Sequence, residues 1–436
     1  MPGPEAQKQT DLLEVTVERI LPGGLGLAHA DGRTVMVLLG APGDRLRVQV
    51  ERVKGSVTFA SIVEVLEPSI LRVEPPCPYF GRCGGCDFQQ LNYQAQLDAK
   101  VEIIRDCFRR IAGIENVPAF EITAARSAWQ YRARAQWQYD AVRKRLGYFE
   151  ANSHRVCDVA ECAVLAPELQ SELERLRRRM TTGELPENAR YFRAIAGDED
   201  VSVAAVADTG RRDARPIVIE RSREITRTIQ GEVYRLNAES FFQTNVDLLP
   251  ELIDYALGDD RGEKAIELYC GVGLFTVPLA RRFGKVVAVE DDREATEFAR
   301  KNLTGADLQN TKVVNCDVAD WLEQNLEGDG SDGRPERKRP ACTDETIETS
   351  NASETLALQS IDFLLLDPPR TGAESRVIDG ILKMKPQRIS YVSCDPATLA
   401  RDLKTLIAGG YSINSMRAFD MFPQTHHVET VVHLSG

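Results

Sequence analysis

Between about Glu14 and Leu66, apolar and polar residues alternate in short runs: EVTVERI, GLGLAHADGRTVMVL, DRLRVQVERVK and VTFASIVEVLE. A period of two marks half-buried strands, and the Asp31-Gly32 pair marks a hairpin, so a small β-barrel is expected here. A Cys/Pro/Gly-rich stretch follows, EPPCPYFGRCGGCDFQQL, and then an amphipathic helical period over about 93–112. Strand patterns return from Ala124 to about Thr228, interrupted by the charged helical segment ELQSELERLRRRM. From Lys264 the rhythm changes. The apolar runs KAIEL, KVVAV, KVVN, IDFLLL and RISYVS alternate with helical stretches, which predicts a mostly parallel sheet covered by helices on both faces. YSINSMRAFDMF and HVETVVHL predict a closing antiparallel hairpin. The segment at 328–355 is polar, charged and poor in apolar residues, so a disordered insertion is expected there.

With 436 residues, two or three domains are expected. No run approaches the ~20 apolar residues of a membrane span, and the first fifteen residues are polar and charged, unlike a signal peptide. A cytoplasmic protein with no membrane partner is the expectation. Its ten cysteines then need another explanation than structural disulfides. The net charge of −12 argues against a nucleic-acid partner for the chain as a whole. Locally the balance reverses. Arg126, Arg132, Arg134, Arg143, Lys144 and Arg145 stand against Asp140 alone, interleaved with Trp129, Tyr131, Trp137 and Tyr139, and this strip is where RNA would bind.

Candidate chemistry falls in four places. Cys77, Cys83 and Cys86 are spaced C-x5-C-x2-C among Pro and Gly, which lets the backbone wrap several thiolates around one centre. Cys162 is the best fourth ligand and Cys157 the second. Spacing alone leaves a [4Fe–4S] cluster and a four-cysteine zinc site open. In AIELYCGVGLFTVPLA an acid, Glu267, comes late in a strand, and Gly271 and Gly273 form a tight turn opening a helix, where a ligand can lie against the backbone. Glu290 and Asp317 end the next two strands. Acids closing successive strands suit a neutral-to-cationic nucleoside such as S-adenosylmethionine better than a pyrophosphate. In LLLDPPRTG, Asp367 ends a further strand and two prolines stiffen the loop; Arg370 stands where amino-directed methyltransferases usually carry an aromatic residue. In RISYVSCDPATLARDL, Cys394 ends another strand directly before a helix, where a thiol can have a lowered pKa and act as a nucleophile. Cys107, Cys270, Cys316 and Cys342 have nothing convergent around them. In MFPQTHHVETVV, Glu429 is an isolated acid in an apolar strand, and His426 and His427 read as hydrogen-bonding residues.

Together ESFFQTN, LYCGVGLFT, LDPPRTG, YVSCDPATLARD and FPQTHHVE resemble the RNA uracil-C5 methyltransferase family along nearly the whole chain. The resemblance implies an α/β fold: a class I Rossmann-like methyltransferase domain at 241–436, an N-terminal OB-like β-barrel (TRAM) at 8–68, and a central α+β iron–sulfur domain at 69–240. The helix at 93–112 would pack on the catalytic domain. It also implies S-adenosylmethionine contacts from Gln243, Tyr269, Leu274, Glu290, Asp317 and Asp367. Cys394 matches the family's nucleophile and Glu429 its base. It turns the metal question towards a [4Fe–4S] cluster on Cys77, Cys83, Cys86 and Cys162. The implied partner is RNA, ribosomal favoured over transfer RNA, and the enzyme is expected to be a monomer. Asp395 stands where the family usually has Asn, an added negative charge expected to raise the thiol pKa. Two rival readings are an amino-directed nucleic-acid methyltransferase, which would not need Cys394, and an RNA-binding module with a vestigial catalytic domain.

Overall fold

A computed structural model of the chain describes residues 12–207, 217–326, 342–344 and 361–436. Alternating burial builds the N-terminal sheet from β1 (Leu12–Thr16), β2 (Arg19–Ile20), β3 (Gly26–Ala30), β4 (Arg33–Val37), β5 (Arg45–Lys54) and β6 (Val57–Glu67). Their order is β1-β5-β6-β4-β3-β2, and Val15, Val35, Val37, Leu46 and Val48 form a small core of their own. Asp44 is fully buried at one end, where it accepts from the amides of Ala41 and Ser69 and pairs with Arg72. The pairing fastens the sheet to the cysteine-rich segment that follows.

That segment leads into α1 (Tyr93–Cys107), capped by the Asn92 side chain on the Ala95 amide. The expected last turn, Phe108–Ala112, is a π-helix rather than α, ending on left-handed Gly113. One side of α1 shares a core with the N-terminal sheet through Phe88, Leu91, Ala95 and Ile103 beside Ile20 and Ala41. The other side buries Ile104, Cys107 and Phe108 against the C-terminal sheet. Lys100, fully buried, pairs with equally buried Asp420 and donates to the Phe422 carbonyl.

After the short β7 (Ile122–Thr123) comes an antiparallel central sheet of β8 (Arg134–Asp140), β9 (Arg145–Phe149), β10 (Val156–Asp158), β11 (Tyr191–Ala196), β12 (Val201–Ala207) and β13 (Ile217–Glu220). Its order is β10-β9-β8-β11-β12-β13. Helix α2 (Pro167–Thr182) covers one face through Leu169, Leu173, Leu176 and Met180. Three of the four aromatic residues of the basic strip point inward, Trp129 being only half-buried. Trp137 is fully buried and Tyr139 packs on Phe192 in this core, while Tyr131 donates to the Pro423 carbonyl. Period-two alternation sends every second residue of β8 into the core, so these aromatics offer no stacking surface to RNA. The hairpin β14 (Ile225–Ile229) and β15 (Glu232–Leu236) then leads to α3 (Leu249–Leu257).

The C-terminal sheet is built from β16 (Gly262–Leu268), α4 (Thr276–Ala280), β17 (Phe283–Glu290), α5 (Arg293–Gly305), β18 (Thr311–Asn315), α6 (Val318–Leu326), β19 (Thr343–Asp344), β20 (Phe363–Leu366), α7 (Ser375–Met384), β21 (Arg388–Ser393), α8 (Pro396–Ala408), β22 (Ser412–Phe419) and β23 (Glu429–Ser435). The strand order is β19-β18-β17-β16-β20-β21-β23-β22-β7. The five expected strands β16, β17, β18, β20 and β21 run parallel, and β22 and β23 close the sheet as an antiparallel hairpin. Helices α3, α4 and α5 pack on one face; α6, α7, α8 and α1 pack on the other. The two edge additions were not expected. β7 arrives from the central region and pairs with β22. Of the segment at 328–355, only residues 342–344 fall within the described structure, so the expectation of disorder lies otherwise outside the described residues; β19 pairs antiparallel with β18. Cys342 forms a disulfide with Cys316. This corrects the expectation that no cysteine is used in a disulfide, and these two had been set aside as having nothing convergent around them. Strand pairing brings their Cα atoms to 4.8 Å, within the reach of a disulfide.

Candidate active site

In a doubly wound sheet, ligands bind beyond the carboxyl ends of the strands where the strand order reverses. Here that point lies between β16 and β20. A cavity of about 730 Å³ opens there, within the range for a small-molecule ligand. Gln243, Tyr269, Leu274, Glu290, Asp317, Asp367, Cys394 and Glu429 all line it. Strand geometry is the cause: β16, β17, β18, β20 and β21 each deliver the residue at or just past the strand end to one edge.

The loop after β16 is shaped for close approach. Tyr269 holds a left-handed φ of 66°, costly for a residue with a Cβ, and Gly271 and Gly273 hold φ of 53° and 90°. Glu290 fastens the loop, accepting from the Gly271 amide at 2.9 Å and from the Asp292 amide at 2.9 Å. Burial pushes its carboxyl up to about 7. Asp317 accepts from the Asp320 amide in the first turn of α6. Glu267 does not line the cavity. It is buried beneath the loop, takes a 2.5 Å hydrogen bond from Thr276 Oγ1, and is pushed up to about 8 by burial.

The deep end of the cavity gathers the reactive groups. Burial pushes Asp367 up to about 7; its Oδ2 accepts from Gln243 Nε2 at 3.3 Å. Glu429, 1% exposed at the start of β23, has one carboxyl oxygen without a partner in the described structure. Burial, then the charge of Asp367, raises its pKa well above the usual carboxylate range, with Arg370 opposing. Cys394 is pushed up to about 12 by burial first, then by the charges of Glu429 and Asp367; Arg370 opposes and Asp395 adds to the rise.

This last result corrects the expectation of a lowered thiol pKa. The amides at the start of α8 are engaged by another acceptor. Asp395 caps that helix, accepting from Ala397 N and Thr398 N at 2.9 Å each. The carboxylate takes the donors that would otherwise favour a thiolate, and its own charge raises the thiol pKa, as expected from the Asp in this place.

His427 lies outside the cavity lining. Burial, with the neighbouring charge of His426 and Arg370, pushes its pKa down to about 2, so it is a weak base. His426 is tied to Asp87 of the cysteine-rich segment through both its amide and its ring. Among the lining residues not singled out from the sequence as site residues are Arg134, Phe241 and Arg370. Arg370 was noted only for standing where an aromatic is usual. Phe241, 58% exposed in ESFFQTN, could have been found as an aromatic two residues before Gln243.

Cys77, Cys83, Cys86 and Cys162 line a second, smaller pocket together with Tyr79, Tyr148 and Arg132. Burial pushes the thiol of Cys83 up to about 12 and that of Cys86 up to about 11. Cys77, Cys83, Cys86 and Cys162 are thus brought into one pocket by segments about 75 residues apart in the chain. Cys157, buried beside them, accepts instead from Arg82 Nε and does not line the pocket. Arg132 Nε and the Tyr148 hydroxyl are buried there with no hydrogen-bond partner among the described residues. Among the described residues, no three or more His, Cys, Asp or Glu side chains converge on a single metal ion.

Comparison with known proteins agrees in one direction. The family model described as tRNA (Uracil-5-)-methyltransferase matches residues 200–436. The 23S rRNA (uracil(1939)-C(5))-methyltransferase RlmD of Pectobacterium atrosepticum is 32% identical, covering 96% of this chain and 92% of that protein. An uncharacterized RNA methyltransferase of Thermotoga maritima is 30% identical, covering 97% and 99%. Among solved structures, the Pyrococcus abyssi tRNA (uracil-54, C5)-methyltransferase in complex with S-adenosyl-L-homocysteine superimposes with a TM-score of 0.70 at 25% identity, covering 97% of this chain and all of that one.

The thiol's surroundings predict its reactivity. Alkylation of Cys394 by iodoacetamide, followed on its own peptide by mass spectrometry, should accelerate about tenfold per pH unit from about pH 7 to about pH 10 without a plateau. Asp395→Asn removes a negative charge, favours the thiolate, and should move the profile to lower pH by up to about one unit. A plateau near pH 8 in the unaltered protein contradicts this account of the site.

Proposed function

As a member of the RNA uracil-C5 methyltransferase family, the chain is an RNA methyltransferase, and we propose that it methylates carbon 5 of one uridine in 23S ribosomal RNA through a covalent bond to Cys394. The observation that carries the proposal is the meeting of Cys394, Glu429 and Asp367 in one cavity with the strand-end residues that suit a nucleoside donor. Gln243, Tyr269, Leu274, Glu290, Asp317 and Asp367 would hold S-adenosylmethionine, the methyl-donating co-substrate.

The chemistry follows from uracil. Carbon 5 is a poor nucleophile until a group adds at carbon 6. The Cys394 thiolate adds there, and the electron pair moves onto the ring as an enolate. Carbon 5 then attacks the sulfonium methyl, which leaves a neutral thioether as the by-product. Glu429 removes the proton from carbon 5, the carbon 5–carbon 6 double bond re-forms, and the thiolate departs. A carboxylate with a strongly raised pKa is a stronger base than an ordinary one, which suits this step; His427 is too weakly basic for it. The target base must leave its stack to reach a thiol at the end of β21.

The ribosomal target is supported by the full-length similarity to the 23S rRNA enzyme. The likeness in fold to the transfer RNA enzyme favours a transfer RNA uridine as the second reading. The N-terminal sheet would serve as an RNA-binding OB-like TRAM barrel (8–68), followed by the central domain (69–240) and the methyltransferase domain (241–436). The enzyme would act as a cytoplasmic monomer; among the described residues no helix is long and apolar enough to cross a membrane. Cys77, Cys83, Cys86 and Cys162 would hold a [4Fe–4S] cluster. All four cysteines line one pocket, the donor set that such a cluster takes. Methyl transfer involves no net oxidation or reduction, so the cluster's role would be structural.

Protein purified without oxygen should carry about four iron and four sulfide per chain; zinc without sulfide refutes the cluster. Glu429→Gln should still add and methylate but lose the later proton abstraction, typically a ~10²–10⁴-fold loss. Incubated with S-adenosylmethionine and transcripts of 23S rRNA or transfer RNA, it should accumulate a denaturation-resistant, methylated protein–RNA adduct on the 23S transcript. Adduct on transfer RNA alone would select the second reading, and normal turnover by the variant would remove Glu429 from the role of base.

A further inference from the structure

β8 and β11 are neighbours in the central sheet, with Arg134 opposite Ile195 and Gln136 opposite Arg193. Alternation divides them into two faces. Ala135, Trp137 and Tyr139 enter the core with Phe192 and Ala194. Arg134, Gln136 and Gln138 take the other face, with Arg193 and Tyr191 beside them.

That face joins two cavities. At one end Arg134 and Phe241 line the catalytic cavity. At the other, Gln136 and Gln138 line a groove of about 1070 Å³, walled by Arg52 and Phe59 of the N-terminal sheet and by Gly84–Asp87 of the cysteine-rich segment. A single strand of the central sheet therefore runs from the groove to the mouth of the active site.

Arg134 and Arg193 stand on this strip without an acidic partner among the described residues. The Arg134 guanidinium lies 5.1 Å from the Phe241 ring centre, and that of Arg193 lies 5.5 Å from the Tyr191 ring centre. Other arginines of the same domain do find carboxylates: Arg126 with Glu251, Arg143 with Asp140, Arg177 with Asp158. Burial, and secondarily the charge of Arg193, pushes Arg134 down to about 10, so it stays a cation at neutral pH while the two guanidiniums repel. Two like charges kept half-buried beside each other cost free energy, and an anion entering between them removes that cost. A phosphate fits the planar donor forks of two arginines.

We propose that the β8–β11 face carries the RNA backbone from the groove to the catalytic cavity, with Arg134 and Arg193 together binding a phosphate adjacent to the uridine that enters it. The inference rests on the RNA substrate class assigned above. Phosphate contacts position without reading sequence, so the clamp would set which nucleotide reaches Cys394 only by holding the strand in register.

The test measures binding of a fluorescein-labelled RNA stem–loop with a uridine-containing loop, by anisotropy across a salt titration. Arg134→Gln/Arg193→Gln should weaken binding roughly tenfold and reduce the slope of log affinity against log salt by about one ion, while Arg193→Lys alone should keep the slope. A methylphosphonate placed at each loop linkage in turn should reveal one linkage whose neutralisation weakens the unaltered protein but not the double variant. Unchanged affinity and slope in the double variant, or no linkage showing that loss of effect, overturns the clamp. If the double variant fails to fold, the lysine variant and the methylphosphonate series on the unaltered protein still decide: no sensitive linkage, no clamp. An unaltered protein that binds the stem–loop without salt dependence would instead count against the RNA-binding reading itself.

Discussion

The buried carboxylate of Glu429 depends on an ion pair that lies in another part of the chain. Glu429 starts β23, and the loop before it, from Asp420 to Val428, has no regular structure of its own. Asp420 anchors that loop from beneath. It is fully buried, pairs with fully buried Lys100 of α1, and accepts from the Tyr93 hydroxyl at 2.8 Å. Gln96, also on α1, donates its amide to Gln424 and accepts from the Gln424 backbone. Two opposite charges out of water are tolerable only when each has the other, and breaking such a pair by removing one partner typically costs about 3–5 kcal/mol. The pair thus ties the cysteine-rich segment's helix to the loop that leads into Glu429. Asp87 holding His426 repeats the tie a few residues on. A cysteine pocket in one domain can therefore matter to an active site in another without any chemistry of its own.

The second constraint is charge within the cavity. Asp367, Glu290 and Glu429 are all raised by burial, and Cys394 more than any surface thiol would be. Deprotonating all of them at once in a low-dielectric pocket is unfavourable, so the carboxylates oppose formation of the thiolate. A donor bearing a sulfonium changes that balance, because a cation in the cavity favours carboxylate and thiolate alike. Arg370 already supplies part of this effect from the protein's own side. The arrangement suits a nucleophile that is quiet without both substrates, which is useful for a buried thiol that must not react with anything else.

Much of this was legible in the sequence, and the reason is geometric. A residue that ends a parallel strand must lie at the sheet's carboxyl edge, so the strand pattern alone places Glu290, Asp317, Asp367 and Cys394 together. What escaped the reading depends on partners far away in sequence. Trp137 and Tyr139 look like part of a basic, aromatic RNA strip, yet strand alternation turns them into the core and leaves Arg134 outside. Whether an arginine is paired depends on which acid another segment brings, so the solitude of Arg134 and Arg193 carries no local signal. The two-residue β7 is too short for a period, and its place beside β22 follows only from tertiary pairing. For Cys394, the strand-to-helix position was visible, but the helix amides are taken by Asp395, and burial decides the pKa.

The central claim is that Cys394 forms a bond to carbon 6 of the target base while carbon 5 accepts the methyl. 5-Fluorouridine RNA tests it most directly, because fluorine at carbon 5 cannot leave as a proton does and the reaction halts with the bond intact. Incubated with 5-fluorouridine-containing RNA and S-adenosylmethionine, then digested and weighed by mass spectrometry, the protein should yield one modified peptide. That peptide should contain Cys394 and carry a methylated fluorouridine nucleotide. Methylated RNA product without any adduct, or an adduct on a different cysteine, would contradict the account.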